Sequence, residues 1–214
     1  MNILNIEHIH KIFGDKVIFD DISCGIDQGE KIGIIGVNGT GKSSLTGVLW
    51  KQRSDLGQII DADKLASDNG GNNILAGRLA IQQIRDCLAK GLCFTQETTL
   101  SGSLTAHTAQ KALDAGYKIC MHYVGLDSAE ESIARIANRV RKGGHDIPEA
   151  DVRRRFEGRV KALATVLPYC QEALFYDNNN GFIVVGEYLN GKIVPYNEAP
   201  RWIIELAKAI NKHQ

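Results

Sequence analysis

A chain of 214 residues, 43% hydrophobic and 23% charged, holds enough apolar material for one good α/β core and too little for two independent ones. Its 25 Lys and Arg balance 25 Asp and Glu, which excludes a global field favouring nucleic acid or an anionic membrane, so any polyanion site must be local. The five cysteines are scattered without a C-x-x-C pair, which speaks against metal or disulfide roles. The opening residues lack a basic segment and a long apolar core, so the chain is expected to be soluble and cytoplasmic.

Residues 1–31 alternate apolar and polar, with turns at Gly14-Asp15 and Gln28-Gly29, and read as short antiparallel strands leading into the apolar run Ile32 to Ile35. A helix is predicted after Gly41. Gly57 to Asp63 reads as a short strand ending in acids, and Asn73 to Lys90 as a helix stopping at Gly91. Leu92 to Thr98 is strand-like, Leu104 to Ala115 helical, Tyr117 to Leu126 a buried strand, and Ala129 to Arg141 a helix capped by Ser128. Residues 142–148 break the pattern and precede a basic helix with Arg153, Arg154, Arg155 and Arg159, a candidate mobile lid over phosphates. Ala173 to Asp177 is a strand, Asn190-Gly191 turns a hairpin, and Trp202 to Asn211 closes as an amphipathic helix. Such alternation predicts an α/β three-layer fold with a parallel central sheet, antiparallel N-terminal strands and a C-terminal hairpin. The expected organisation is one domain: strand addition 1–31, core 32–181 with a lid near 139–159, then hairpin and helix 182–214.

The firmest local signal is Gly36-Val-Asn-Gly-Thr-Gly-Lys42-Ser43, a complete G-x-x-x-x-G-K-[ST] loop between a strand and a helix. Gly36, Gly39 and Gly41 let backbone N–H groups turn inward around phosphate oxygens, with Asn38, Thr40 and Ser44 in the same loop and helix start. Lys42 adds charge near the β- and γ-phosphates, and the Ser43 hydroxyl can complete a Mg²⁺ shell of water and phosphate. ATP and Mg²⁺ are the expected cofactors.

Asp63 is the first choice for the general base that accepts a proton from an attacking hydroxyl, with Asp61 as the alternative; strand alternation would point only one into the cleft. Either acid could instead cap a helix. Arg139, Arg141 and Arg154 offer the forked geometry that grips phosphates, although an arginine-rich helix also makes a solvated face. His145 reads as a hydrogen-bonding lid-turn residue, and Tyr117, Tyr123 and Tyr169 as packing.

Two family resemblances meet at the phosphate loop. Asn5 to Gly14, Phe19 to Ser23 and Gly29 to Ser43 resemble the opening of an ABC-type ATPase domain, over residues 1 to about 45. That resemblance implies that Phe13 stacks on adenine; a plain strand aromatic is the other reading. An ABC domain also carries L-S-G-G-Q and an apolar strand ending Asp-Glu. This chain has Leu100-Ser-Gly-Ser103 and no such acid pair, which disfavours an ABC-type ATPase driving a partner.

From about Lys42 to Gly191 the chain is similar to the zeta-toxin family of P-loop kinases. The motifs are Gly41-Lys-Ser-Ser-Leu-Thr, Ile60-Asp-Ala-Asp63, Phe94 to Gly102, Arg139 to Pro148 and Arg153-Arg-Arg-Phe156. The resemblance implies ATP-dependent phosphorylation of a sugar hydroxyl of UDP-N-acetylglucosamine. It also implies substrate contacts from Glu97, Thr98 and Thr99, with Thr98 and Ser101 as alternative helix caps, and a protein antitoxin as partner. The two flanks together read as a chimera, natural or engineered, whose second reading is a nucleotide-binding protein with weak or no kinase activity.

Overall fold

The computed structural model describes residues 2–13, 16–27, 30–36, 39–52, 56–100, 102–144, 146–179 and 181–212, with the segments before residue 39 described in backbone pairing only. Two long strands, β1 (Asn2–Phe13) and β2 (Lys16–Asp27), pair antiparallel as a separate ribbon with several register shifts. The expected short antiparallel strands are thus two strands of 12 residues. The third segment, β3 (Glu30–Gly36), leaves the ribbon and enters the main sheet.

That sheet has seven strands in the order β4-β5-β3-β6-β7-β8-β9. Besides β3 it contains β4 (Gln58–Asp61), β5 (Phe94–Thr98), β6 (Lys118–Gly125), β7 (Glu172–Asp177), β8 (Ile183–Leu189) and β9 (Lys192–Pro195). The first five in spatial order run parallel, and β8 and β9 turn back antiparallel. Parallel strands need covered faces, and β6 is buried along Cys120 to Gly125.

One face is covered by α1 (Lys42–Gln52), whose Leu45 and Leu49 pack with Val124, Tyr176 and Phe182. The other receives α7 (Arg159–Val166) and α8 (Arg201–Asn211). There Leu163, Trp202, Ile203 and Leu206 meet Met121, Tyr123 and Phe175. Tyr123 contacts Phe175 and Trp202 with ring centroids 5.7 and 6.0 Å apart. Burial holds its phenol up at about 12. Each fully buried leucine or phenylalanine here contributes about 1.5–3 kcal/mol relative to exposure. A third cluster joins Ile60, Ile84, Phe94 and Tyr117 between the β4–β5 edge, α3 (Asn73–Lys90) and α4 (Leu104–Asp114). The Tyr117 hydroxyl donates to the carbonyls of Cys87 and Leu92, so that predicted packing residue is also a strut.

Local signals fix several helix ends. Asn72 caps α3 through Leu75 N, and Ser128 caps α5 (Ala129–Arg141) through Glu131 N. The single basic helix expected after residue 148 is two, α6 (Glu149–Glu157) and α7, with Gly158 at the joint. Cys87, Cys120 and Cys170 are buried cysteines, and burial pushes the Cys170 thiol up to about 12. Among the described residues no helix is long and apolar enough to cross a membrane.

Candidate functional site

The phosphate loop crosses from β3 into α1, and the strand order places β5 directly beside β3. Register pairs Ile34 with Glu97 and Ile35 with Thr98, so the carboxyl end of β5 lies next to the loop. One strand further out, Asp61 pairs with Glu97 at the end of β4. Crevices beyond the carboxyl ends of parallel strands are where α/β sheets bind ligands. Here the crevice is a cleft of about 190 Å³ whose walls include Lys42, Asp61, Asp63, Glu97, Thr98, Thr99 and Arg155.

Lys42 is the first residue of α1 and is buried. Desolvation holds its ammonium below the ordinary value, against the opposing charges of Asp63, Glu97 and Asp61; Arg155 lowers it further.

Glu97 is buried as well, and burial raises its carboxyl above the usual range, a tendency that the Thr46 hydroxyl opposes and the Asp61 charge reinforces. Its two oxygens are held separately. Ser43 Oγ donates to Oε2 at 2.8 Å, and Thr46 Oγ1 donates to Oε1 in a very short contact while also reaching the Lys42 carbonyl. Thr46 was not singled out in the sequence. The available signal is a hydroxyl one turn beyond Lys42 in a helix interior, where Thr otherwise gains little.

Asp61 and Asp63 do not alternate as the strand argument expects. Strand β4 ends at Asp61 and α2 (Ala62–Asp68) begins at once. Asp61 caps that helix, accepting from Asp63 N at 2.9 Å and Lys64 N at 3.3 Å. Asp63 sits in the first helical turn, exposed, and both acids line the same cleft. The strand rule fails because the strand has already ended.

Thr98 Oγ1 accepts from Leu100 N at 3.1 Å and lies 3.2 Å from Thr105 Oγ1, so it braces a turn rather than capping α4. Ser101, His145 and Asn38 lie outside the described residues. Leu100 itself is buried at φ 57, a strained conformation for a bulky residue, directly after the Thr98-Thr99 pair.

The arginines separate. Arg155 lines the acid-rich cleft and also a larger one of about 690 Å³, which shares Thr99 with it and has Arg154, Gly158 and Lys161 among its other walls. Arg154 is exposed and pairs with Asp151 at 2.7 Å. Arg153 pairs with Glu149 and Glu130, and Arg159 stacks 3.7 Å above the Phe156 ring. Arg139 and Arg141 are exposed at the C-terminal end of α5 and are not among the walls of either cleft. Of the predicted residues, the structure therefore brings together Lys42, Asp61, Asp63, Glu97, Thr98 and Thr99, and adds Arg155.

The loop is gripped from the opposite side. Asn178 Nδ2 donates to the Thr40 carbonyl at 2.7 Å, and Arg135 of α5 donates to the Asn178 carbonyl at 2.8 Å. Gly39 and Gly41, at φ 82 and 102, are required twice over: a Cβ would stand 2.6 Å from the Ser132 carbonyl or 2.4 Å from Asn178 Nδ2. Ser44 is exposed on α1. Gly36 ends β3, and the side chain of Phe13 lies outside the described residues.

No cluster of three or more His, Cys, Asp or Glu able to hold a metal occurs among the described residues. The oxygens of Ser43 and Glu97, 2.8 Å apart, fit a Mg²⁺ ion that takes one or two protein ligands and fills the rest of its shell with phosphate and water.

Loop, sheet order and paired acids define a P-loop nucleotide-binding domain. A family model described as ABC transporter matches residues 19–157, and the chain belongs to that family. The likeness thus runs well beyond the residue-45 limit read from the sequence. An uncharacterized protein of Haemophilus influenzae is 34% identical over 135 residues, 60% of this chain and 94% of that protein. An uncharacterized ABC transporter ATP-binding protein of Bacillus subtilis, YfmR, is 53% identical over 49 residues, 23% of this chain but only 8% of the relative's length. A solved structure from the PezAT chromosomal toxin-antitoxin system of Streptococcus pneumoniae superposes with a TM-score of 0.57. It covers 87% of both chains at 16% identity, a shared fold.

Proposed function

We propose that the chain is an ATP-dependent phosphotransferase that phosphorylates a sugar hydroxyl of a UDP-amino-sugar such as UDP-N-acetylglucosamine. The observation that carries this reading is the convergence of Lys42, Asp61, Asp63 and Glu97 with Thr98, Thr99 and Arg155 in one cleft beside the phosphate loop. In the reaction the acceptor hydroxyl oxygen attacks the γ-phosphorus, the bond to the ADP oxygen breaks, and the hydroxyl proton passes to Asp63. Asp61 spends its Oδ1 on two cap bonds, which favours the exposed Asp63 as the base and keeps Asp61, through its Oδ2, as the alternative. Lys42 and the loop amides hold the phosphates; Mg²⁺, bound by Ser43 and Glu97, supplies neutralising charge when present. Arg155 stands between the two clefts, where it can meet both the transferring phosphoryl and an acceptor diphosphate. Arg154, Arg139 and Arg141 are proposed to join it only as α5 and α6 close. The likeness to a toxin-antitoxin structure supports a protein antitoxin as partner.

A second reading, a chimeric nucleotide-binding module without transferase activity, draws support from an ABC transporter family match over residues 19–157 in a chain that lacks L-S-G-G-Q. Incubation with ATP·Mg²⁺ and UDP-N-acetylglucosamine, with mass detection of the phosphorylated sugar, separates the two. Nucleotide binding without acceptor-dependent ADP release would sink the kinase reading.

A further inference from the structure

Helix α3 contains a glycine that neither backbone geometry nor packing requires. Gly77 sits within the helix at ordinary negative φ, and a Cβ built on it meets no heavy atom within 4 Å. Glycine inside a helix is less favourable than alanine by about 1 kcal/mol, so on stability alone this position should be alanine.

The space it leaves is not idle. Gly77 lines the same cleft as Lys42, Asp61, Asp63 and Glu97. Four and seven residues on, Ile81 and Ile84 line that cleft too, which continues the helical stripe one face of α3 must present. Leu104 and Thr105 stand on another wall. The volume a Cβ would occupy is therefore part of the acceptor space, bounded by acids at one end and by aliphatic side chains along α3.

We infer that Gly77 is a specificity-determining residue: it keeps the α3 wall low so that an acceptor bearing a small substituent with an apolar end, such as an acetamido group, fits beside the reacting hydroxyl. This inference rests on the phosphotransferase reading above and assigns a residue to its acceptor selectivity. A helix that gives up stability at a position lining the cleft is the pattern of a stability cost tied to function.

The test uses the full chain and Gly77→Ala and Gly77→Leu variants. Melting temperature, affinity for an ATP analogue, and kcat and KM are measured for UDP-N-acetylglucosamine and for UDP-glucose, which lacks the acetamido group. Gly77→Ala is expected to melt roughly 2–4 °C higher. ATP-analogue affinity should be preserved while KM for UDP-N-acetylglucosamine rises about tenfold, the loss expected of a methylene-sized clash. KM for UDP-glucose should rise much less, and Gly77→Leu should abolish use of the amino-sugar. A stabilised Gly77→Ala with unchanged constants for both acceptors overturns the inference. So does equal loss of both acceptors, which would make the position structural. A wild-type protein that binds ATP but turns over neither acceptor is a different pattern; it defeats the phosphotransferase reading itself, and the inference with it.

Discussion

The two sides of the phosphate loop are built from opposite materials. Toward β5 and β4 lie carboxylates: Glu97 buried and raised by burial, Asp61 committed to a helix cap, Asp63 exposed. Toward β6 and β7 lie close packing and amides: Gly39 against the Ser132 carbonyl, Asn178 on the Thr40 carbonyl, and Arg135 on Asn178. Behind them, buried Asp177 receives bonds from Trp202 Nε1 at 2.9 Å and Asn179 N at 3.0 Å. In the proposed reaction the first side handles proton and charge transfer; the second holds a backbone shape. Substitutions on the two sides should therefore fail differently, the first in turnover and the second in nucleotide affinity or stability.

The largest separation is expected from Asp63→Ala, which should cut acceptor-dependent transfer by about 10²–10⁴-fold, the usual range for a lost general base. ATP affinity by titration should stay intact; a fall in both would put Asp63 on the holding side. Next, Trp202→Phe removes a donor from the buried Asp177 carboxylate, and denaturant unfolding should register a loss of about 1–3 kcal/mol. Asn178→Ala, which deletes one loop bond, should weaken nucleotide binding by about 1 kcal/mol, or roughly fivefold, with kcat at saturating ATP little changed. Loss of kcat alone would move Asn178 to the chemical side.

The smallest effect is a matter of sign. Because the Glu97 carboxyl is raised above its ordinary value of 4.5, the folded state keeps a proton that the unfolded chain releases. Stability referable to Glu97 is then present at low pH and is lost as pH rises from about 4.5 through the folded value. Glu97→Gln should remove that decline. A wild-type curve no steeper than the variant's over this window would show that the Ser43 and Thr46 bonds, not desolvation, set the proton's hold.

Legibility followed the range of the signal. Helices α3 and α5 keep the expected bounds because their caps, apolar spacing and stops are all local, and the Asn190-Gly191 turn closes β8 onto β9 as read. Lys42, Ser43 and Glu97 could be placed on their elements because the phosphate motif and the end of β5 are local signals, whereas Asp63 lies past the end of β4, in α2. Three things were not legible. The partner of Glu97 depends on which strand lies beside β3, a tertiary choice that sequence order hides. The choice of Arg155 over Arg154 turns on helical phase, and one residue of phase is 100° of rotation. Asn178 lies in a stretch of asparagines that carries no motif, and its bond to the phosphate loop appears only when β7 is docked.

The bond from Asn178 to the Thr40 carbonyl spans 138 residues of chain. During synthesis the loop emerges early, while the amide that fixes it emerges late. A ribosome-bound intermediate stopped before residue 178 thus carries the whole nucleotide motif without its clasp. Full affinity for nucleotide is in this way expected only once the residue after β7 has been made, and a chain cut short there is expected to hold ATP more weakly.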